Sequence, residues 1–454
     1  MPKVAKSKIE KVDIFVKKYP NEFISTPSGN LFCKLCNTAV KCDKEFHVNA
    51  HRNSTKHSCK IPTKDQKQEF IVVDKNSFSD RLIKAFLKSD IPLFKLRNES
   101  IRELFLELGH QVPSDTFCRK KVENISQEFL FKIKCLVENN KIILLADEAE
   151  IRGDKFFVVQ IALLQEPTKI YTVECKYFKN SLKSTDVCQN IDDLLRFFNV
   201  KRENFSLFLS DAAPYMCLAS KNLKFMYSEM IHITCVSHLL HNCCMRIRMK
   251  YQSVDNLISS MRMALLKNNE RAEIFENIGL PPDVIITRWG TWMNAVKYYC
   301  KHLPDIREKV SKFKKDGKIV ENAKTIVLDK SLDMKLTEIH REYMCLVNLL
   351  EETEQSEFTI SIFMEKIKNI SFENDPADIK QYIEKRLSKS DISKIKNNYS
   401  TNLSPEEISL LLSAPCSNSS VERSFSRLKK LLTKDRNFNV ENVKNYFICL
   451  MNEI

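Results

Sequence analysis

Glycine is scarce, with 6 residues in 454. So few leave little room for the tight turns of an all-β architecture, and a largely helical chain with one sheet fits better. Long apolar runs are missing as well. No stretch approaches the ~20 apolar residues of a membrane span, which predicts no membrane partner. The opening segment MPKVAKSKIEK has no apolar stretch and so does not read as a secretory leader. The 16 cysteines are therefore expected in a reducing compartment, as core residues or metal ligands. Internal repeats and low-complexity tracts are lacking too.

What is present points to a soluble globular chain of two to four domains, with 43% hydrophobic and 29% charged residues. The net charge of +14 attracts polyanions, nucleic acid first among them, although a lysine-rich soluble surface has the same composition. The runs MPKVAKSK and RLKKLLTKDR have the character of nuclear import signals, which predicts a nuclear location.

Periodicity organises the chain. Phe78, Leu82, Ile83, Phe86 and Leu87 form one helical face, and Ile101, Leu104, Phe105 and Leu108 another, closed by Gly109. PSDT at 113–116 offers a cap for a third helix. From Lys141 the pattern changes: KIILLADE, KFFVVQIALL and KIYTVECKYF read as consecutive strands. STDVCQNIDDLLRFFNV reads as a helix, FSLFLSD as a strand, and MIHITCVSHLLHNCCMRI as a strand running into a helix. The order predicts a mixed α/β sheet. Residues 250 to about 405 read as helical and basic, with KVSKFKKDGK as an exposed loop, and a last helix starts near 419. Its apolar stripe is Val421, Phe425, Leu428 and Leu432, with Glu422 beside it.

Two constellations carry chemistry. Cys33-Lys-Leu-Cys36 is followed by His51 and His57, a C-x2-C-x14-H-x5-H pattern within the spacing of a closed, structural zinc site. His47 and Cys42 are rival ligands. The second constellation is acidic. Asp147 ends the apolar run IILLA, and Asp211 ends FSLFL. In an open α/β sheet, ligands gather beyond the carboxyl ends of strands. Glu422, delivered by the last helix, can complete a set of three. Carboxylates that close repel one another unless cations lie between them, and two Mg²⁺ or Mn²⁺ ions would clamp the oxygens of a phosphoryl transfer. Each residue also has a structural reading. Asp211 can cap the helix that follows it, Asp147 can sit in a turn, and Ser419-Ser-Val-Glu422 fits a capping box. Glu148 and Glu150 compete for the first role. Cys243 and Cys244 read as small core residues rather than members of a second zinc site.

The segment LFCKLCN…AHRNSTKH resembles the finger of CGG triplet-repeat-binding proteins and BED-type fingers. That resemblance favours His51 with His57 and implies DNA binding. LLADEAEIRG, FLSDAAPYM, HITCVSHLLHN, ITRWGTW and CSNSSVERSFSRLKKLLTKDRNF occur in the order found in hAT-superfamily transposases, over residues 78–454. The resemblance implies an RNase H-like (retroviral-integrase-like) core interrupted by an all-helical insertion. It makes Asp147, Asp211 and Glu422 the acidic triad. It makes Cys235 and His238 a C-x2-H pair beside the DNA phosphates, and Arg288 with Trp289 a further DNA-contacting pair; core packing is the structural alternative for both tryptophans. The expected division is a finger over 1–60, a linker over 61–77, helices over 78–136, core over 137–250, insertion over 251–404, and core plus dimerisation region over 405–454. A homodimer or higher homo-oligomer is implied. The alternative is a transposase-derived nuclear regulator that binds DNA and dimerises without cutting.

Overall fold

Two units make up the chain, Met1–Val73 and Asp74–Ile454. The computed structural model describes residues 8–20, 22–26, 30–34, 36, 38–54, 57, 75–89, 91–266, 268–285, 290–314, 317–355, 357–388, 390–392, 395, 403–432 and 443–453. No helix among the described residues is long and apolar enough to cross a membrane.

In the first unit a helix, Lys8–Lys18, precedes strands β1 (Phe23–Ser25), β2 (Leu31–Cys33) and β3 (Thr38–Val40), and a second helix, Glu45–Arg52, follows them. The strands form an antiparallel sheet in chain order. Thr26 and Asn30 close the first turn: Thr26 N–H donates to the Asn30 carbonyl at 2.9 Å, and Asn30 N–H returns to Thr26 Oγ1 at 3.1 Å. Val12, Phe15, Phe23, Leu31, Val40 and Val48 form the apolar core, with Cys33, Cys36 and Cys42 among them. A core this small leaves the unit dependent on cross-links of another kind.

The second unit opens with helices Lys75–Lys88, Glu99–Glu107 and Asp115–Val137. Ser114 caps the last of these, its side chain accepting from Phe117 N–H, as PSDT led one to expect. Gly109, at φ +78°, ends the middle one, and its neighbour His110 donates back to Phe105 O at 2.8 Å. The face expected of that helix is only half covered. Ile101 and Phe105 pack on the core, whereas Leu104 and Leu108 point to solvent.

Five strands follow: β4 (Ile142–Ile151), β5 (Asp154–Leu163), β6 (Glu166–Phe178), β7 (Phe205–Ser210) and β8 (Ile231–Thr234). Their order in the sheet is β6-β5-β4-β7-β8. β4, β5 and β6 pair antiparallel with one another, and β7 and β8 add on parallel to β4 on its other side. Arg152 and Gly153, both at positive φ, make the two-residue turn between β4 and β5. Parallel addition needs crossovers, and helices Ser184–Phe197 and Pro214–Met226 supply them. Both lie on the sheet face lined by Ile142, Leu144 and Phe208, together with helix Asp115–Val137. Ile143, Leu145, Leu207 and Leu209 line the opposite face, where helix Val236–Lys250 packs. The β6 edge is blunted by Asn452, whose side-chain amide pairs with both backbone groups of Thr172 at 2.8 and 3.0 Å.

From Gln252 to Leu387 the elements are helices: Gln252–Leu265, Asn269–Glu273, Thr291–Ser311, Gly317–Val327, Ser331–Thr353, Ile360–Asn369 and Ile379–Leu387. Their apolar faces join the same core as the sheet, so this helical stretch belongs to one unit with it. The segment KVSKFKKDGK is not simply a loop. Lys309, Val310 and Phe313 are buried, and Lys309 Nζ donates to Ile274 O at 2.6 Å. A helix buries a lysine in this way only when carbonyl oxygens receive its protons. After helix Pro405–Leu412 the chain returns to the sheet with helices Ser419–Leu431 and Val443–Met451. Val421, Phe425 and Leu428 are buried within this chain, as are Val443, Tyr446, Phe447 and Ile448. Among the described residues, most of the apolar side chains of these two helices are thus covered from inside the molecule. Cys243 and Cys244 are buried in the core, and Trp292 is buried with its indole N–H on Asp255 Oδ1 at 3.0 Å.

Candidate metal centres

Four donor atoms converge in the first unit. His57 Nδ1 lies 3.4 Å from the sulfur of Cys33, 3.4 Å from that of Cys36, and 3.2 Å from His51 Nε2. Donors around one tetrahedral zinc ion stand about 3.3–3.8 Å apart, given metal–ligand bonds of ~2.0–2.3 Å. The set Cys33, Cys36, His51 and His57 fits such an ion and leaves no position open. Cys33 ends β2, and His51 comes from the last turn of helix Glu45–Arg52. The rivals take other places. Cys42 is part of the apolar core, and neither it nor His47 joins the ligand cluster.

Glu22 belongs to this centre, although nothing in the ligand spacing pointed to it. Its Oε2 lies 2.9 Å from His57 Nε2, and both oxygens take the Arg52 guanidinium at 2.8 Å. With Nε2 donating to Glu22, His57 is left with its Nδ1 lone pair turned to the space shared with Cys33, Cys36 and His51, where a metal ion would accept it. The Arg52 guanidinium beside it holds the Glu22 carboxyl below its usual range, against the opposing effect of burial, with His57 adding to the same direction.

The second centre lies on the sheet. Asp147 does not end its strand, and it does not sit in a turn: β4 runs on to Ile151, and Asp147 pairs with Val158 of β5. What ends there is the parallel pairing with β7. Leu145 stands opposite Leu209, so the same register brings Asp147 level with Asp211, just past Ser210. Both carboxylates leave the sheet on the face of Leu145 and Leu209. Asp147 is 4% exposed; Oδ1 accepts from Glu148 N–H at 2.8 Å, while Oδ2 is buried without a partner. Asp211 Oδ1 accepts from Ala213 N–H at 3.2 Å in a turn just before helix Pro214–Met226; the cap position is Ala213, with no side-chain cap hydrogen bond, so Asp211 does not cap that helix.

Glu422 reaches the same place from the last part of the chain. It makes no capping box. The cap position of its helix is Asn418, which has no side-chain cap hydrogen bond. Asn418 instead fastens the helix to the sheet. Its Nδ2 donates to Ala146 O at 3.0 Å, and its N–H donates to the sulfur of Cys235 at 3.2 Å. Ser420 adds a second tether, its hydroxyl donating to Gln160 Oε1 on β5 at 2.7 Å. The serine-rich lead-in SNSS is therefore a set of anchors beside Asp147, and Glu422 stands one turn beyond them.

His238 completes the group. Its Nε2 is 3.6 Å from Glu422 Oε1. Asp147, His238 and Glu422 each offer one donor atom, all within 4.8 Å of one another, so they could hold a metal ion. Asp211 faces the group electrostatically without joining the three. Burial pushes the carboxyls of Asp147, Asp211 and Glu422 all upward, with Asp147 well above the usual range; Asp211 adds to the effect at Asp147 and Glu422, Glu148 adds to it at Asp211, the charge of His238 opposes it at all three, and the Ala213 N–H opposes it at Asp211. Burial would depress His238, but its hydrogen bond to Cys235 and the charges of Cys235, Asp147 and Glu422 carry it up to about 10. For Cys235 burial acts upward, and the contacts with His238 and Asn418 outweigh it, so the thiol ends lowered. Crowding of buried carboxyls in this way disfavours their charged forms unless a cation lies among them.

Sequence reasoning placed Cys235 and His238 here as a DNA-contacting pair. In the structure they flank the start of helix Val236–Lys250, Cys235 just before it and His238 in its first turn. Arg288 and Trp289 lie outside the described residues. No family model matches the chain, and no curated protein matches it.

Proposed function

We propose that the chain is a hAT-type transposase, or descends from one, with a DNA-binding zinc finger in residues 1–60 and an RNase H-like nuclease core. The observation that carries this reading is the meeting of Asp147 and Glu422, from distant parts of the chain, beside Asp211 where the pairing of the central strands β4 and β7 ends. The sheet order supports it. An RNase H-like core calls for three antiparallel strands in sequence, with the first at the centre and two parallel strands added on its free side. The partnerless Oδ2 of Asp147 supports it too, since a buried carboxylate oxygen that accepts no hydrogen bond needs a cation or a proton in its place.

Two divalent cations, when bound, neutralise the carboxylates and polarise the phosphodiester for in-line attack by water or a DNA hydroxyl. The chain itself supplies the holding and the orientation. Asp147 forms the floor, Asp211 the adjacent wall, and Glu422 is held in place by Asn418 and Ser420. The +14 charge draws the DNA backbone in, and work on chromosomal DNA implies a nuclear location.

The test is strand cleavage, with Mg²⁺ or Mn²⁺, of duplex DNA carrying whatever terminal inverted repeats a search of the sequence flanking the coding region finds. Nicking is expected in the native chain and is expected to vanish in Asp147→Asn, Asp211→Asn and Glu422→Gln. Cleavage that survives all three removes the nuclease assignment. Binding that depends on Cys33 and Cys36 but is never followed by cleavage selects the transposase-derived regulator instead.

A further inference from the structure

We infer that His238 is a metal ligand, and that Asp147, His238 and Glu422 together form a nitrogen-containing site that prefers a first-row divalent cation such as Mn²⁺ to Mg²⁺. The inference deepens the reading that these carboxylates hold metal and rests on it. It does not depend on whether DNA is cut.

Three observations carry it. The first is position. Cis donors on an octahedral cation lie about 3 Å apart, and His238 Nε2 is already 3.6 Å from Glu422 Oε1. A small side-chain adjustment brings all three donors onto one ion. The second is the depth profile. Asp147 sits at the floor, 4% exposed, while the His238 and Glu422 side chains are 24% and 38% exposed at the mouth. The three thus occupy one side of a cation and leave its outer side to water or a phosphate oxygen. The third is the unsatisfied oxygen. Asp147 Oδ2 is buried without a hydrogen bond, on a residue that reaches the same cluster.

The chemistry decides which metal. Mg²⁺ keeps to oxygen donors and gives up its water reluctantly. An imidazole in the first shell lowers the affinity for Mg²⁺ relative to first-row metals, which accept nitrogen readily. Asp211, whose carboxylate faces the group without joining it, stays free to complete an oxygen-only position next to the first.

The experiment uses the full chain with zinc already bound, so that the finger is filled. Mn²⁺ is added with about a hundredfold excess of Mg²⁺, and electron spin echo modulation is recorded. A bound Mn²⁺ signal with nitrogen modulation from a directly ligated imidazole is expected. His238→Gln should abolish that modulation and weaken Mn²⁺ binding by at least the roughly tenfold that loss of even an outer partner costs. Affinity for Mg²⁺ should change much less. Asp211→Asn should retain the modulation. Bound Mn²⁺ without nitrogen modulation overturns the assignment of His238 and leaves the carboxylate site standing. No bound Mn²⁺ at all overturns both. Modulation that persists in His238→Gln overturns the assignment as well. The native spectrum needs no substitution, so a poorly folding variant leaves the test decisive.

Discussion

His232 makes the larger unit sensitive to acid, and the size of the effect can be worked out. The residue lies on edge strand β8, only 9% exposed, its ring stacked on Phe208 and its Nε2 2.9 Å from the hydroxyl of Ser210. Asp391 faces it from the chain after helix Ile379–Leu387, taking His232 N–H at 3.1 Å, and Lys224 of helix Pro214–Met226 pairs with Asp391. Burial dominates and pushes the imidazole from 6.5 down to about 4, with Asp391 acting upward and Lys224 downward. Below 6.5 the unfolded chain takes up a proton that the folded chain refuses, so stability falls as pH falls toward 4. At pH 5 the loss is about 2 kcal/mol, and below pH 4 it levels at about 3 kcal/mol. Urea unfolding followed by tryptophan fluorescence measures this cleanly. Both tryptophans, Trp289 and Trp292, belong to the unit Asp74–Ile454, so the signal does not report on the unit Met1–Val73. His232→Gln keeps a polar partner for Ser210 but cannot titrate. Between pH 7.5 and pH 5 the native chain should lose about 2 kcal/mol more than His232→Gln. Parallel pH profiles for the two chains would refute the reasoning.

Three further outcomes are expected. Glu22→Gln should weaken zinc binding by about 10–100-fold in a chelator competition, because His57 loses the carboxylate that orients it; an unchanged affinity would mean that packing alone sets the ring. Asp147→Asn should stabilise the metal-free chain at neutral pH by roughly 1–3 kcal/mol, since a buried carboxyl that resists ionisation is replaced by a neutral amide. The same variant should lose the gain that the native chain shows with divalent cations, about 2.7 kcal/mol at a hundredfold excess over the dissociation constant. Equal responses in both chains would show that the cations bind elsewhere. Asn418→Ala should cost roughly 1–3 kcal/mol by leaving Ala146 O unsatisfied, and should weaken metal binding although no ligand is touched. A fall in stability with metal affinity unchanged would count against its role in placing Glu422.

Local pattern and long-range position had different fates in this chain. The strands were legible because β4, β5 and β7 are nearly continuous apolar runs, which is how buried strands read. The cluster of Cys33, Cys36, His51 and His57 was legible because its spacing is the kind that geometry around one ion requires. Leu104 and Leu108 failed as core residues because periodicity reports which residues share a helix face but not whether a neighbour covers it. Asp147 was read as a strand end because the apolar run stops there, yet the ladder to β5 continues through Ile151 on polar residues. The capping-box reading of Glu422 shows the limit most clearly. Ser419-Ser-Val-Glu422 satisfies the local rule, but the helix is started by Asn418, and Asn418 spends its side chain on Ala146 of β4. A rule that looks three residues ahead cannot weigh a partner held in another strand. Glu22 escaped for the same reason, since its partners His57 and Arg52 meet it only once the small sheet and the helix have formed. Cys33, Cys36, His51 and His57, and Asp147 with Glu422, were nominated from type and spacing, whereas Asp211 does not join the second donor group and His238, which does, was not nominated as a ligand. The residues that aim them are neutral or acidic side chains of no fixed pattern, and only their distances identify them.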